Sequence, residues 1–216
     1  MTFKAVMFDL DGTLLDTLED IADSANRVLK RHGYPTRSND DYRYFVGDGV
    51  RMLVRRLLPV DARSDNVIES MHDEFREEYG RNWKTKTKPY DGVPEMLDGL
   101  VARQLRLAVL SNKPDDFTKQ CVEELLPAWT FDIVMGYHDR LPPKPDPAGA
   151  LQIADRLGIK PGEFLYLGDT SIDMKTATAA GMKPVGVLWG IRGFDELKGS
   201  GARSIIEKPG DVFTLL

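Results

Sequence analysis

The chain has 216 residues, 42% of them hydrophobic and 29% charged, with a formal net charge of −5. That suits one large domain or one core domain with a modest insert, in the composition of a soluble globular protein. Acids and bases are mixed with no basic stripe to track a phosphate backbone, which argues against a nucleic-acid partner, and no apolar run approaches the roughly 20 residues of a membrane span.

The N-terminal stretch MTFKAVMFDL has a short apolar run without the long apolar segment and small-residue cleavage site of a signal peptide. Cys121 is the only cysteine, so no internal disulfide is possible and a reducing cytoplasm is the expected setting. It lies among helical residues and reads as a small buried side chain.

The first strand is expected at FKAVMFD (3–9). From about Leu15 to Gly80 the pattern is then almost wholly helical. Leu18, Ile21, Ala22, Ala25, Val28 and Leu29 give one apolar face, closed by Gly33 and Pro35. Thr17 and Asp20 have capping-box spacing, with Asp in place of the usual Glu. Further helices are expected near 39–45, near 50–58 and near 65–79, where Val67, Ile68, Met71, Phe75 and Tyr79 form the stripe. Hinges are expected around Leu15–Thr17 and Asn82–Tyr90, which divides the chain into a core (1–14 and 85–216) and a helical insert (15–84).

After the insert, apolar runs at 105–112, 131–139, 164–170, 183–190 and, more weakly, 204–208 read as strands buried on both faces. Helical patterns at 94–104, 115–126, 148–158 and 171–181 separate most of them. Pro94 suits a first helical turn, and Gly158 and Gly181 suit helix ends. Strands alternating with helices predict a doubly wound parallel α/β sheet.

Ligands in such a sheet bind outside the carboxyl ends of the strands. Those ends carry Asp9, Asp11, Gly12 and Thr13; then Ser111, Asn112 and Lys113; then Gly168, Asp169 and Thr170, with Asp173 close behind. The loop LPPKPDP adds Lys144 among prolines. A single Asp after a strand is commonly a turn former or helix cap, and Asp173 could cap the helix it opens. Clustered carboxylates, however, repel one another unless a cation neutralises them, and Mg²⁺ with oxygen ligands does so. Mg²⁺, a lysine and carboxylates together suit a phosphate ester. Asp9 would attack phosphorus and form an aspartyl-phosphate; Asp11 could protonate the leaving oxygen and then activate water. Gly12 would let the backbone approach the phosphate, Thr13 would help it turn, and Ser111 and Asn112 could donate to phosphoryl oxygens.

The segments DLDGT (9–13), LSN (110–112), PPKPDP (142–147) and GDTSIDM (168–174) resemble, in order and spacing, the four motifs of the haloacid dehalogenase superfamily. The resemblance implies a Rossmann-like core with an α-helical cap inserted between the first two motifs. It implies that Asp9 is the nucleophile and a Mg²⁺ ligand, and that Asp11 is the general acid/base and a ligand through its backbone carbonyl. It further implies that Ser111 binds the phosphoryl group, Lys144 stabilises its charge, Asp169 is the other direct Mg²⁺ ligand and Asp173 an outer-shell partner of Mg²⁺ or of Lys144. GTLLDT, VGDGV, SNK and VLWGIRGFDEL resemble the phosphoglycolate phosphatase branch, so 2-phosphoglycolate is the expected substrate, with pyrophosphatase or sugar-phosphate mutase as alternatives on the same scaffold. A monomer or homodimer acting on a small phosphorylated metabolite is expected.

GDGVR (47–51) in the insert reads either as a bare interhelical turn or as a substrate-selecting loop, with Arg51 a candidate for a substrate carboxylate or phosphate. A dinucleotide loop is disfavoured because Met52 stands where the third glycine belongs. His32, His72 and His138 show no metal-ligand spacing. A non-enzymatic alternative, an aspartate-phosphorylated signalling receiver, also uses Asp, a hydroxyl residue and Lys on a doubly wound sheet. It has no place for the helical insert and puts its Asp on a later strand.

Overall fold

The computed structural model describes residues 2–216. The chain divides into two compact units, Met1–Leu15 with Pro89–Leu216, and Asp16–Lys88.

In chain order, β1 (Ala5–Phe8) opens the first unit, and the chain leaves it through β2 (Leu15–Asp16). The second unit holds α1 (Leu18–Arg31), α2 (Asn39–Phe45), α3 (Val50–Leu57) and α4 (Asp65–Asn82), and β3 (Lys88–Pro89) leads back. There follow α5 (Val93–Ala102), β4 (Arg106–Pro114), α6 (Asp115–Leu125), β5 (Ile133–Tyr137), α7 (Ala148–Leu157), β6 (Phe164–Gly168), α8 (Ser171–Ala179), β7 (Lys183–Val187), α9 (Phe194–Gly199) and β8 (Ser204–Ile206). β2 and β3 pair as a short ribbon.

Six strands form one sheet in the order β5-β4-β1-β6-β7-β8, with every pairing parallel. Both faces are buried, as the unalternating apolar runs require. Ala5, Met7, Ala108, Leu110, Ile133, Met135, Phe164 and Tyr166 face one core with Ala150 and Ile153 of α7 and Ala177 of α8. The alternate residues Val6, Phe8, Leu107, Val109, Leu165 and Leu167 are buried as well. From β1 the chain builds outward to β4 and β5, then returns to β1's other side for β6, β7 and β8. The order therefore reverses at β1, and the crevice at its carboxyl end is flanked by β4 and β6, the position where doubly wound sheets hold ligands.

The strand runs read from the sequence are each found, shortened at their polar ends, except that β4 extends through Ser111, Asn112 and Lys113 to Pro114. There its pairing with β5 slips: Leu110 pairs with Met135 and Pro114 with Tyr137, so Ser111–Lys113 oppose only Gly136. A Cβ on Gly136 would overlap Thr118 Oγ1, Asp115 Cα and the Lys113 carbonyl. An irregularity of this kind re-aims side chains at a strand end.

Two expectations about the insert change. Thr17 makes no side-chain cap bond, and Asp20 does not return to it. The buried Asp20 carboxylate instead accepts the Lys86 N–H at 3.1 and 2.9 Å, the Thr87 N–H at 2.8 Å and the Thr87 hydroxyl at 2.8 Å. Those bonds hold residues 85–88 to α1, so the second unit ends at Lys88 instead of residue 84. Helix α4 also runs past Gly80, where Asn82 donates to the Glu78 carbonyl at 3.0 Å and to its carboxylate at 2.9 Å. Among the described residues no helix is long and apolar enough to cross a membrane. Cys121 is buried, and burial pushes its thiol up to about 12, which keeps it protonated and unreactive.

Removing a buried carboxylate that serves several donors leaves those donors unsatisfied. Asp20→Ala is expected to destabilise the helical unit by about 2–3 kcal/mol in urea unfolding. A change within about 0.5 kcal/mol, the range of an ordinary surface substitution, would contradict this account of the return boundary.

Candidate active site

The carboxyl ends of β1, β4 and β6 bring most of the expected residues together. Asp9, Asp169 and Asp173 each offer a carboxylate oxygen within 4.8 Å of the others, all buried. Among the described residues they are the one group of three or more His, Cys, Asp or Glu side chains close enough to share a metal ion. Lys144 sits against them, its Nζ 2.9 Å from Asp9 Oδ1 and 2.7 Å from Asp173 Oδ1. Its side chain is only 3% exposed.

Each acid is held differently. Asp9 Oδ1 also accepts the Leu10 N–H at 2.7 Å, so both of its bonds fall on one oxygen. Asp173 does two things at once: Oδ1 takes the lysine, while Oδ2 accepts the Thr170 N–H at 3.1 Å and the Thr170 hydroxyl at 2.7 Å. Asp173 thus caps helix α8 and holds Lys144 at the same time. Asp169 is fully buried, and its partners are neutral donors, the Thr13 hydroxyl at 3.2 Å on Oδ1 and the Ile191 N–H at 2.9 Å on Oδ2.

The electrostatics follow from that packing. Burial pushes Asp9 up to about 7; Lys144 opposes the rise, while Asp173 and Asp11 add to it. Burial, with Asp173 and Asp9 nearby, holds Asp169 well above the carboxylate range, against the pull of the Ile191 N–H and the Thr13 hydroxyl. For Lys144 burial acts downward, but Asp173 and Asp9 outweigh it and the ammonium stays charged well above its ordinary range.

Three expected residues take up other positions. Asp11 is outside the acid cluster; its carboxylate faces Lys113, with Nζ at 3.1 and 3.4 Å. Asn112 braces the loop that carries Lys144: its Oδ1 accepts the Lys144 N–H at 2.8 Å and its Nδ2 donates to the Lys144 carbonyl at 3.0 Å. That is a structural clamp where a phosphoryl contact was expected. Arg51 belongs to the helical unit, where its guanidinium meets Asp65 at 3.0 Å and also Glu69. Ser111 is at the strand end, its Oγ accepting the Lys113 N–H at 3.2 Å. The histidines bind locally: His32 to Glu74 at 2.7 Å, His72 to Asp73 at 3.1 Å, and His138 accepting the Arg140 N–H at 3.3 Å.

Gly12 has φ +87°, and a Cβ there would fall on the Asp169 carboxylate. The close approach that demands glycine is therefore to Asp169, in addition to any approach to a ligand. A Cβ on Gly168 would likewise overlap Asp173.

Two parts of the site escaped the sequence reading. Lys113 was visible as the third residue of SNK, but its pairing with Asp11 needs the β4 slip. The loop after β7 contributes through main-chain and indole groups, a Trp189 Nε1 bond to the Thr13 carbonyl at 2.9 Å among them, and leaves no charge pattern to read.

A model of the haloacid dehalogenase-like hydrolase family matches residues 6–187. The chain is 32% identical over 213 residues to a phosphoglycolate phosphatase of Aquifex aeolicus, covering 99% of this chain and 96% of that protein. It is 31% identical to an N-acetylmuramic acid 6-phosphate phosphatase of Pseudomonas aeruginosa, covering 100% of this chain and 96% of that one. The crystal structure of a Haemophilus somnus protein described as a predicted phosphoglycolate phosphatase matches with a TM-score of 0.92 at 27% identity, covering 100% of this chain and 98% of that one. A family match through both the first and last motif segments, joined to a relative above 30% identity that spans nearly the whole chain, makes this protein a member of the haloacid dehalogenase-like hydrolase family.

Proposed function

We propose that the protein is a Mg²⁺-dependent phosphatase that hydrolyses a small phosphorylated metabolite through an aspartyl-phosphate, with 2-phosphoglycolate as the substrate. The observation that carries this reading is Asp9: a buried carboxylate at the end of β1, with both bonds on Oδ1, beside a buried lysine.

The donor set fits Mg²⁺. Asp9 and Asp169 present buried carboxylate oxygens close together, and neither of the groups donating to Asp169 carries a charge. Hard oxygen ligands of this kind suit Mg²⁺, which takes one or two carboxylates and completes its sphere with water and phosphate oxygen. Asp9, Asp169 and the backbone carbonyl of Asp11 are assigned as the protein ligands. When bound, Mg²⁺ supplies charge neutralisation to the phosphoryl oxygens.

The chain's own residues then divide the work. Asp9 Oδ2, which holds neither of the two bonds, attacks phosphorus; the Asp9–phosphorus bond forms as the ester P–O bond breaks. Asp11 gives its proton to the departing alkoxide, which leaves as the alcohol. Water then attacks the same phosphorus and transfers a proton to Asp11, while the bond to Asp9 breaks and orthophosphate departs. Lys144, fixed by Asp173 and by the Asn112 clamp, offsets negative charge beside Asp9 throughout. Ser111 is the hydroxyl assigned to a phosphoryl oxygen. Substrate selection is assigned to the helical insert, by its place between the first two motif segments. A cytoplasmic setting agrees with the lone buried cysteine.

The relatives support the substrate unevenly. Aquifex and Thiobacillus proteins named phosphoglycolate phosphatase are 32% and 34% identical, which favours 2-phosphoglycolate. The 31% relative that acts on N-acetylmuramic acid 6-phosphate by name makes a sugar phosphate the second reading.

A panel of small phosphate esters assayed with Mg²⁺ decides between them. A kcat/KM for 2-phosphoglycolate about tenfold or more above that for N-acetylmuramic acid 6-phosphate is expected, and the reverse order would overturn the substrate. In the same assay Asp9→Asn is expected to fall to background, with no acid-stable phosphate left on the protein after rapid quenching. An active Asp9→Asn would remove the nucleophile. Metal loading is read separately by thermal unfolding: at Mg²⁺ about a hundredfold above its Kd, stabilisation of about 2.7 kcal/mol is expected for the parent and none for Asp169→Asn. Equal shifts for the two would contradict the ligand assignment.

A further inference from the structure

We propose that Trp189 is a positioning residue for the cation site: through Thr13 it sets the orientation of the Asp169 carboxylate. This rests on the assignment of Asp169 as a Mg²⁺ ligand.

The loop that leaves the carboxyl end of β7 reaches Asp169 by two routes. Directly, the Ile191 N–H donates to Asp169 Oδ2 at 2.9 Å. Indirectly, the Trp189 Nε1–H donates to the Thr13 carbonyl at 2.9 Å, and the Thr13 hydroxyl donates to Asp169 Oδ1 at 3.2 Å. The two carboxylate oxygens are thus held from opposite ends of one short segment, Trp189–Ile191. With a donor on each oxygen, the carboxylate plane is fixed before any ion arrives. Partners of metal-ligating carboxylates matter for this reason: they preset ligand orientation, and their loss weakens metal affinity.

The residue between the two donors shows how tightly the segment is pressed in. A Cβ on Gly190 would overlap the Gly12 carbonyl oxygen and Asp169 Cβ. The loop therefore lies directly on the turn that follows Asp11 and on Asp169 together, and any shift of that turn carries Thr13 with it. Thr13 and Asp169 are both fully buried, so water cannot replace the bond between them if the turn relaxes. The Thr13–Asp169 bond, at 3.2 Å, is longer than the usual hydroxyl bond, so a further shift of the turn would break it. The indole has the reach and the N–H to hold the Thr13 carbonyl from the loop after β7, two strands from β1; a phenyl ring would keep most of the packing and lose the donor.

The test is Mg²⁺ binding measured by titration calorimetry on the whole protein, with metal-free thermal stability measured alongside. Trp189→Phe, Thr13→Val, the double variant and Asp169→Asn are compared with the parent. Thr13→Val is expected to weaken Mg²⁺ about tenfold and Trp189→Phe roughly three- to tenfold. Because Trp189 acts through Thr13, the double variant is expected to bind no more weakly than Thr13→Val alone. A Trp189→Phe protein with the parent's Mg²⁺ affinity, whatever its stability, would overturn the proposal; so would losses that add in full. If Asp169→Asn itself keeps the parent's affinity, the ligand assignment fails and this inference falls with it. If Asp169→Asn loses Mg²⁺ while Trp189→Phe retains it, the inference alone fails. Should Trp189→Phe prove insoluble, Trp189→Leu is read in the same way.

Discussion

Three buried carboxylates around one buried ammonium are the constraint on which the rest of the structure depends. Asp9, Asp169 and Asp173 share a pocket with Lys144. In a low-dielectric interior such charges interact far more strongly than in water, and an excess of one sign is costly unless it is matched. Here three potential negative charges face one positive charge. Lys144 stabilises Asp9 and Asp173, while Asp169 is left with neutral donors. Burial pushes Asp9 and Asp169 up, and the neighbouring carboxylates add to that push. In the proposed function a divalent cation would remove the excess of negative charge, and a phosphoryl group would then find a site already arranged around positive charge.

Holding like charges together takes rigid support, and most of it comes from backbone. The reversal of strand order at β1 brings the ends of β4 and β6 to either side of Asp9. Glycines at 12, 168 and 190 let main chain come against Asp169 and Asp173 where any side chain would collide. The slip in β4 presents Ser111 and Lys113, and Asn112 ties the Lys144 loop to that strand. Lys113 provides a separate positive charge for Asp11, which keeps that carboxylate out of the crowded cluster. Two lysines thus serve two different carboxylate groups.

The doubly wound core was legible because its strands are buried on both faces and leave unbroken apolar runs, and because Gly158 and Gly181 stop helices where a left-handed residue is needed. The acids were legible for a related reason: strand ends in a parallel sheet converge, so residues far apart in sequence meet there. What stayed hidden depended on contacts that leave no pattern. Thr17 and Asp20 have the spacing of a capping box, yet Asp20 serves Lys86 and Thr87. Asn112 looks like a phosphate donor in a strand-end Ser-Asn pair, but both ends of its amide meet the Lys144 backbone. Arg51 looks available for an anion, but Asp65 at the start of α4 and Glu69 one turn further on meet it. The Trp189–Ile191 contribution is main-chain and indole N–H, which no count of charges detects.

In the proposed function the core supplies the chemistry and the insert selects the substrate. The central claim is that a cation completes the acid cluster, and its most direct test is a crystal of the parent protein soaked in Mn²⁺ as a Mg²⁺ stand-in. The account predicts an anomalous difference peak coordinated by Asp9 and Asp169, with Lys144 still bound to Asp173. A cluster that stays free of metal in saturated crystals, or a peak held by other residues, would contradict it.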